Sequence, residues 1–190
     1  MYECMNPAPF RWVAAVLVSI EDYWRHQQRY AWLEAQMAVE FDFSMLDGMD
    51  VLDLACFIER EAAENYSQLA SWAESNSPDA MAFFERMARL EGQHDSQIEE
   101  RRRALFGDQP SRYIDCAPWE VEVPDYDKVG SSFTLEQAFA LALGAEERAE
   151  AYFRQAVDYI SDPQTVEILE GLAEEEREHQ RLLKKEMTSR

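Results

Sequence analysis

Four stretches of the chain repeat apolar residues at steps of three and four, the spacing that lines one face of an α-helix. The first stripe runs through Val51, Leu54, Ala55, Ile58, Ala62, Tyr66, Leu69 and Ala73. Phe84, Met87, Ala88 and Ile98 form the second, and Leu135, Ala138, Phe139, Ala142, Ala145, Ala149, Phe153 and Ala156 the third. Val166, Leu169, Leu172, Ala173 and Leu183 form the fourth. Breaks between them predict the helix ends. Asp50 is placed to cap a helix running from Val51 to about Glu74, and Ser77 caps the next with Pro78 at its first position. That second helix stops near Phe106 and Gly107. Thr134, with Gln137 three residues on, opens the third, and a turn at Ser161, Asp162 and Pro163 leads into a fourth that reaches about Met187.

Short turns join the first helix to the second and the third to the fourth, so each pair is expected to run antiparallel. Between the pairs, 108–132 carries Pro110, Pro118, Pro124 and Gly130 and no helical period. A connection of that length suits a crossover that returns along the bundle and leaves helices two and three parallel. Ahead of the bundle, about Phe10 to Glu40 predicts an extra helix rich in Trp and Tyr, with no counterpart among the four. The expected organisation is all-α: a tail and extra helix over 1–49, then a four-helix bundle over 50–190.

Each stripe is broken by polar residues. Glu59 interrupts the first, Glu91 with His94 the second, Glu146 the third, and Glu176 with His179 the fourth. An ionised carboxylate on a core face costs several kcal/mol to bury, so four of them together call for a cation. The i, i+3 spacing of each Glu-His pair puts both groups on one helix face, within reach of one ion. One Glu on each of two helices and a Glu-x-x-His on each of the other two is the donor set of carboxylate-bridged di-iron and di-manganese bundles. Hard carboxylate oxygens with imidazole suit iron, with manganese as the alternative. The expected cofactor is therefore two iron ions.

One Glu-x-x-His in so acidic a chain arises readily by chance; its repetition does not. Subtracting positions, 146−59 is 87, while 176−91 and 179−94 are both 85, so two helical hairpins superpose with a two-residue slip. Neighbours match as well: Ala55 with Ala142, Ala62 with Ala149, Gln68 with Gln155. A duplicated hairpin explains this, with the slip expected in the longer turn of the first half. The third histidine, His26, reads as a surface residue of the extra helix.

A formal charge of −20 excludes nucleic acid as a partner, because repulsion from phosphate outweighs local basic spots such as Arg101 to Arg103. Cys4, Cys56 and Cys116 are odd in number and lack a C-x-x-C spacing, which fits a reducing cytoplasm and neither a disulfide framework nor a thiolate metal site. Trp12 to Ile20 is too short an apolar run to span a membrane. Trp12, Trp24 and Trp32 on the extra helix predict a homodimer that would cover them.

On these residues the chain resembles the rubrerythrin-like branch of the ferritin-like superfamily, as a short form without a rubredoxin domain. The resemblance covers about 50–187. It rests on Glu59 followed seven residues later by Tyr66, on Leu90-Glu91-Gly92-Gln93-His94, on Glu146 followed by Phe153, and on Glu175-Glu176-Arg177-Glu178-His179. Pro118 to Glu120 is similar to the connecting loop of short bacterial members. It implies that Glu59 and Glu146 are terminal ligands, that Glu91 and Glu176 bridge two metals, and that His94 and His179 bind one each. Full-length members pair this bundle with a cysteine-ligated rubredoxin domain. The paired cysteines are missing here, so turnover would need an external electron donor. Members also carry a further carboxylate one turn after the third-helix glutamate, where this chain has Ala149; Glu150 is expected to point elsewhere. That sets the chain apart from the family's redox-linked ligand switch.

The expected function is a di-iron carboxylate protein that oxidises Fe(II) with peroxide or oxygen, in iron handling or peroxide defence. Tyr66 is the candidate catalytic residue beside the metals, with core filling as its equal alternative. A different reading is a non-catalytic iron carrier or scaffold that docks a partner through the extra helix.

Overall fold

In the computed structural model, residues 43–75, 77–112 and 133–189 are described, and they form four long helices. These are α1 (Gly48–Ala73), α2 (Pro78–Phe106), α3 (Leu135–Val157) and α4 (Pro163–Thr188), preceded by a 3-10 turn at Phe43–Met45. The expected extra helix, with His26, Trp12, Trp24 and Trp32, lies outside the described residues, as do Cys4, Cys116 and the loop residues Pro118 to Glu120. The homodimer expectation rests on that helix and is left with it.

The caps explain the boundaries. Ser77 accepts from the Ala80 N–H with Pro78 at the first position of α2, and Thr134 and Gln137 form a capping box at α3. Asp162 caps α4 by accepting from Thr165. At α1 the expected cap was three residues out. Asp47, not Asp50, accepts from the N–H groups of Met49 and Asp50, while the Asp50 carboxylate accepts from the Asp47 N–H. Asp50 is thus the inner half of a capping box, and the helix starts at Gly48. A side chain at that glycine would not fit: a Cβ there would stand 2.9 Å from Thr165 Oγ1 and 3.3 Å from the Phe106 ring. Gly107 ends α2 with φ of 69°, the left-handed region that glycine enters without strain.

α1 packs on α2, α3 packs on α4, and the two hairpins meet through α1 and α3. One core cluster joins the C-terminal part of α1 (Tyr66, Leu69, Ala73) to the N-terminal parts of α2 and α3 and to Leu183 of α4. Phe83 and Phe84 stand 5.5 and 4.8 Å from Phe139 between ring centres. At the other end of α1, Phe43 packs near Tyr152 of α3 and stacks on Tyr159 just past its end. Helices α2 and α3 therefore start at the same end and run parallel, as the crossover expectation requires. Phe106 and Leu135 stand at opposite ends, separated by most of the length of α2, about 43 Å at 1.5 Å per residue.

The two-residue slip between the halves is not in the turn. Pro78 precedes Glu91 by thirteen residues and Pro163 precedes Glu176 by thirteen, and the turn 74–77 is in fact shorter than 158–162. The difference is helix length: α1 continues fourteen residues past Glu59, α3 eleven past Glu146. α1 adds the last turn that carries Trp72 and Ala73 into the core cluster.

The start of the crossover is tied down by a buried cation. Arg102 on α2 donates to Asp53 of α1 at 2.8 Å and to the carbonyls of Gly107 at 2.8 Å and Gln109 at 2.6 Å. Removing one partner of such a pair leaves the other charge buried alone, at about 3–5 kcal/mol. Arg102→Met should lower the melting temperature by about 10 °C. A scan showing less than 2 °C would mean the pair is dispensable.

Candidate metal centre

All six expected donors meet in the middle of the bundle. Glu59, Glu91, Glu146, Glu176 and His179 are at most 3% exposed and His94 9%, so none is a surface residue reaching out to water. Their atoms form overlapping groups: Glu91 with His94 and His179, Glu146 with Glu176 and His179, and Glu59 with Glu91 and Glu176. Within each group the potential ligand atoms lie inside 4.8 Å of one another, a spacing that one ion could span.

The histidines define two sub-sites. Nδ1 of His94 lies 3.5 Å from Glu59 Oε2 and 3.4 Å from Glu91 Oε2. Nδ1 of His179 lies 2.9 Å from Glu91 Oε1, 3.4 Å from Glu146 Oε2 and 3.8 Å from Glu176 Oε2. The two oxygens of Glu91 thus face different histidines, one from each hairpin. The rings stack at 5.2 Å, only 8° from parallel. Despite these approaches, both oxygens of Glu59 and of Glu91, Oε2 of Glu176 and both Nδ1 atoms complete no hydrogen bond of normal geometry. Buried polar atoms are seldom left so, and seven converging on one point is the signature of groups arranged for a cation.

The electrostatics agree. Burial, opposed by His94, pushes the Glu59 carboxyl up to about 8. Burial and the neighbouring charge of Glu146 push Glu176 well above the carboxylate range. Burial also acts on Glu91, but the facing His179 and His94 outweigh it and hold it down at about 2. Burial would lower the His94 imidazolium; Glu59 and Glu91 overcome it and raise it to about 10. His179 is raised for the same reason by Glu146, Glu176 and Glu91. With no cation to balance the carboxylates, Glu59, Glu91, Glu176 and the two imidazoles hold protons among them, and a divalent ion would displace those protons.

Tyr66 packs in the core and also reaches the carboxylates. It is buried against Phe84, ring centres 6.2 Å apart, and its hydroxyl donates to Glu146 Oε1. Burial and the charges of Glu146 and Glu91 push the phenol well above its ordinary range, so it stays a donor. With Oε1 held, Oε2 of Glu146 is the oxygen that faces His179. The equivalent residue in the other half is Phe153, 87 positions on, which has no hydroxyl to offer.

Glu150 points away from the centre, as expected, held by Arg154 at 2.7 Å, Gln180 at 2.7 Å and Arg177 at 3.3 Å. Ala62, Ala145 and Ala149, read from the stripe as core, are only half-buried. Sequence reading also missed Glu175, whose Oε2 stands 3.8 Å from His94 Nε2, on the side away from the other donors. Its counterpart 85 residues earlier is Leu90, so the duplication hides it. Cys56, the one cysteine among the described residues, is buried and its thiol is pushed up to about 12, chiefly by burial. It takes no part in the centre.

No helix among the described residues is long and apolar enough to cross a membrane. No curated protein matches the chain. A solved structure of an uncharacterised conserved protein from Magnetospirillum magnetotacticum is 30% identical, with a TM-score of 0.63, over 74% of this chain and 93% of that one. The family model for rubrerythrin matches residues 50–187, which takes in all but the outermost residues of the four helices and all six converging side chains. The fold is the all-α, ferritin-like bundle of that superfamily, and the chain is a member of the rubrerythrin family.

Proposed function

We propose that the bundle holds two iron ions and couples their oxidation to the reduction of peroxide, with oxygen as the alternative oxidant and an external donor returning the electrons. The observation that carries this is the convergence of seven buried carboxylate and imidazole atoms that have no other partner. The donor set fits the ion: hard oxygens balanced by two imidazoles favour Fe(II), Fe(III) or Mn(II) over softer metals. When bound, two ferrous ions supply the two electrons that peroxide needs.

The chain's own residues set the conditions. Glu59 with His94, and Glu146 with His179, would each hold one ion. Glu91, whose oxygens face both histidines, and Glu176 would be shared. Both histidines turn Nδ1 inward. Tyr66 keeps a proton at Oη and fixes the rotamer of Glu146. Glu59 has no such donor, so it is the freer of the two terminal carboxylates to shift as charge on the ions changes. Burial of all six groups excludes bulk water and strengthens every charge interaction among them.

Anaerobic loading with Fe(II) should bring two irons per chain, and fewer than one would end this reading. Rapid mixing of the loaded protein with peroxide should then give a ferric absorption within seconds; its absence would favour a passive iron carrier. Tyr66→Phe should keep both metals and slow that step about tenfold, the effect of losing one hydrogen bond to a charged group. An unchanged rate would leave Tyr66 as core filling alone.

A further inference from the structure

A cleft between α1 and α3 leads from the surface to the carboxylates of Glu146 and Glu176. Its walls are apolar and mostly small: Ile58, Ala62 and Leu69 from α1, and Ala142, Ala145 and Ala149 from α3. The buried polar groups Tyr66 and Glu146 lie at its inner end, and the less buried Glu61, Asn65 and Arg148 at its mouth. From Ile58 to Leu69 the lining spans three turns of α1, about 16 Å. Nothing in the chemistry of hydrogen peroxide calls for such walls, because a fully polar molecule gains nothing from alanine and leucine. The cavity, about 60 Å³, also exceeds what two oxygen atoms fill, since a water-sized site takes roughly 10–15 Å³ by the same measure. A cleft whose lining is mostly apolar, with Tyr152 beside the alanines and buried polar groups at its floor, matches an unbranched chain with one polar end.

We propose that this cleft binds a linear aliphatic hydroperoxide, the alkyl chain along the alanines and the hydroperoxide group at the Tyr66 and Glu146 end. This rests on the reading of the centre as a peroxide-reducing di-iron site and names its substrate class. Reduction of such a substrate breaks its O–O bond, consumes two electrons from the ferrous ions and two protons, and yields one alcohol and one water. The alcohol product therefore probes the same cleft without reacting.

The test is calorimetric titration of the full chain, loaded anaerobically with Fe(II), with ethanol, 1-butanol and 1-hexanol. Saturable binding at one site per chain is expected, tightening about fourfold for each added methylene, the ratio that burial of one methylene sets. Ala149→Leu and Ala62→Leu fill the cleft and should weaken 1-hexanol binding at least tenfold while metal content and helical circular dichroism are kept. Should either fail to fold, Ala145→Val narrows the same wall. In Ala149→Leu the ratio of kcat/KM for hexyl hydroperoxide to that for hydrogen peroxide should also fall about tenfold. Binding that does not saturate, that ignores chain length, or that is equal in the filled variants overturns the proposal. Two irons per chain without 1-hexanol binding would remove the cleft assignment alone. Saturable, chain-length-dependent 1-hexanol binding in a chain that takes up no iron would remove the di-iron reading and leave the alkyl site standing.

Discussion

Glu91→Ala and Glu176→Ala should each lose most of the thermal stabilisation that metal confers. A ligand that binds only the folded state stabilises it by RT ln(1+[L]/Kd), about 2.7 kcal/mol per site at a hundredfold excess over Kd. For a chain of this size that is about 5–10 °C for each ion. A carboxylate shared between two ions affects both of them; a terminal one affects its own. Anaerobic melting with and without Fe(II) should therefore show the full shift in wild type and about half or more of it in Glu59→Ala and Glu146→Ala. The two shared-carboxylate variants should keep less than a third. Of these, Glu91→Ala should be the more damaging, because the oxygens of Glu91 approach both histidines whereas Glu176 has one within 4 Å. Equal, wild-type shifts in all four variants would mean that the inward glutamates hold no metal.

Raising the pH from 6 to 9 should destabilise the metal-free protein and widen its gap from the metal-loaded one. Burial raises Glu59 from 4.5 to about 8, so its folded form keeps a proton that the unfolded chain has already released. That stability is complete below pH 4.5 and is lost as pH climbs through 8. Against the cost of burial, Glu59 and Glu91 raise His94 from 6.5 to about 10, which gives the same sign: complete below 6.5 and lost as pH climbs through 10. The depressed Glu91 works oppositely, but its contribution is already present above pH 4.5 and fades only toward 2, outside this window. The melting temperature of the metal-free form should fall by on the order of 10 °C between pH 6 and 9. The loaded form should hold steady or rise, because metal takes the place of the shared protons and binds more tightly as they become easier to remove. A metal-free melting curve that is flat or rising with pH would show that these groups do not share protons as their geometry implies.

Ala149 illustrates where pattern reading stops. Period and size both place it in the core stripe, yet it is half-buried and lines the cleft that leads to Glu146. Whether an alanine on an apolar stripe meets a neighbour or a gap depends on how closely two helices far apart in sequence approach. Asp50 was displaced for a different reason: Asp47 and Asp50 are both competent caps, and the choice is made by a reciprocal pair of bonds that only the folded turn displays. Glu175 was missed because its partner, His94, sits 81 positions earlier on another helix.

What the sequence by itself determined were the properties carried by local spacing: four helices with the caps of the second and third, the parallel middle pair implied by a long proline-bearing connection, and the six inward-facing Glu and His residues. Helical periodicity is set by backbone geometry, and a charged residue on an apolar face is visible without knowing what lies opposite. The tertiary structure alone decided which of these side chains lie together, that Glu91 faces both histidines, and that Tyr66 donates to Glu146. It also set the cleft between α1 and α3. These depend on distances between side chains some thirty to more than a hundred residues apart, and only packing sets such distances. A near-perfect repeat in sequence therefore became a centre whose two halves are chemically unequal.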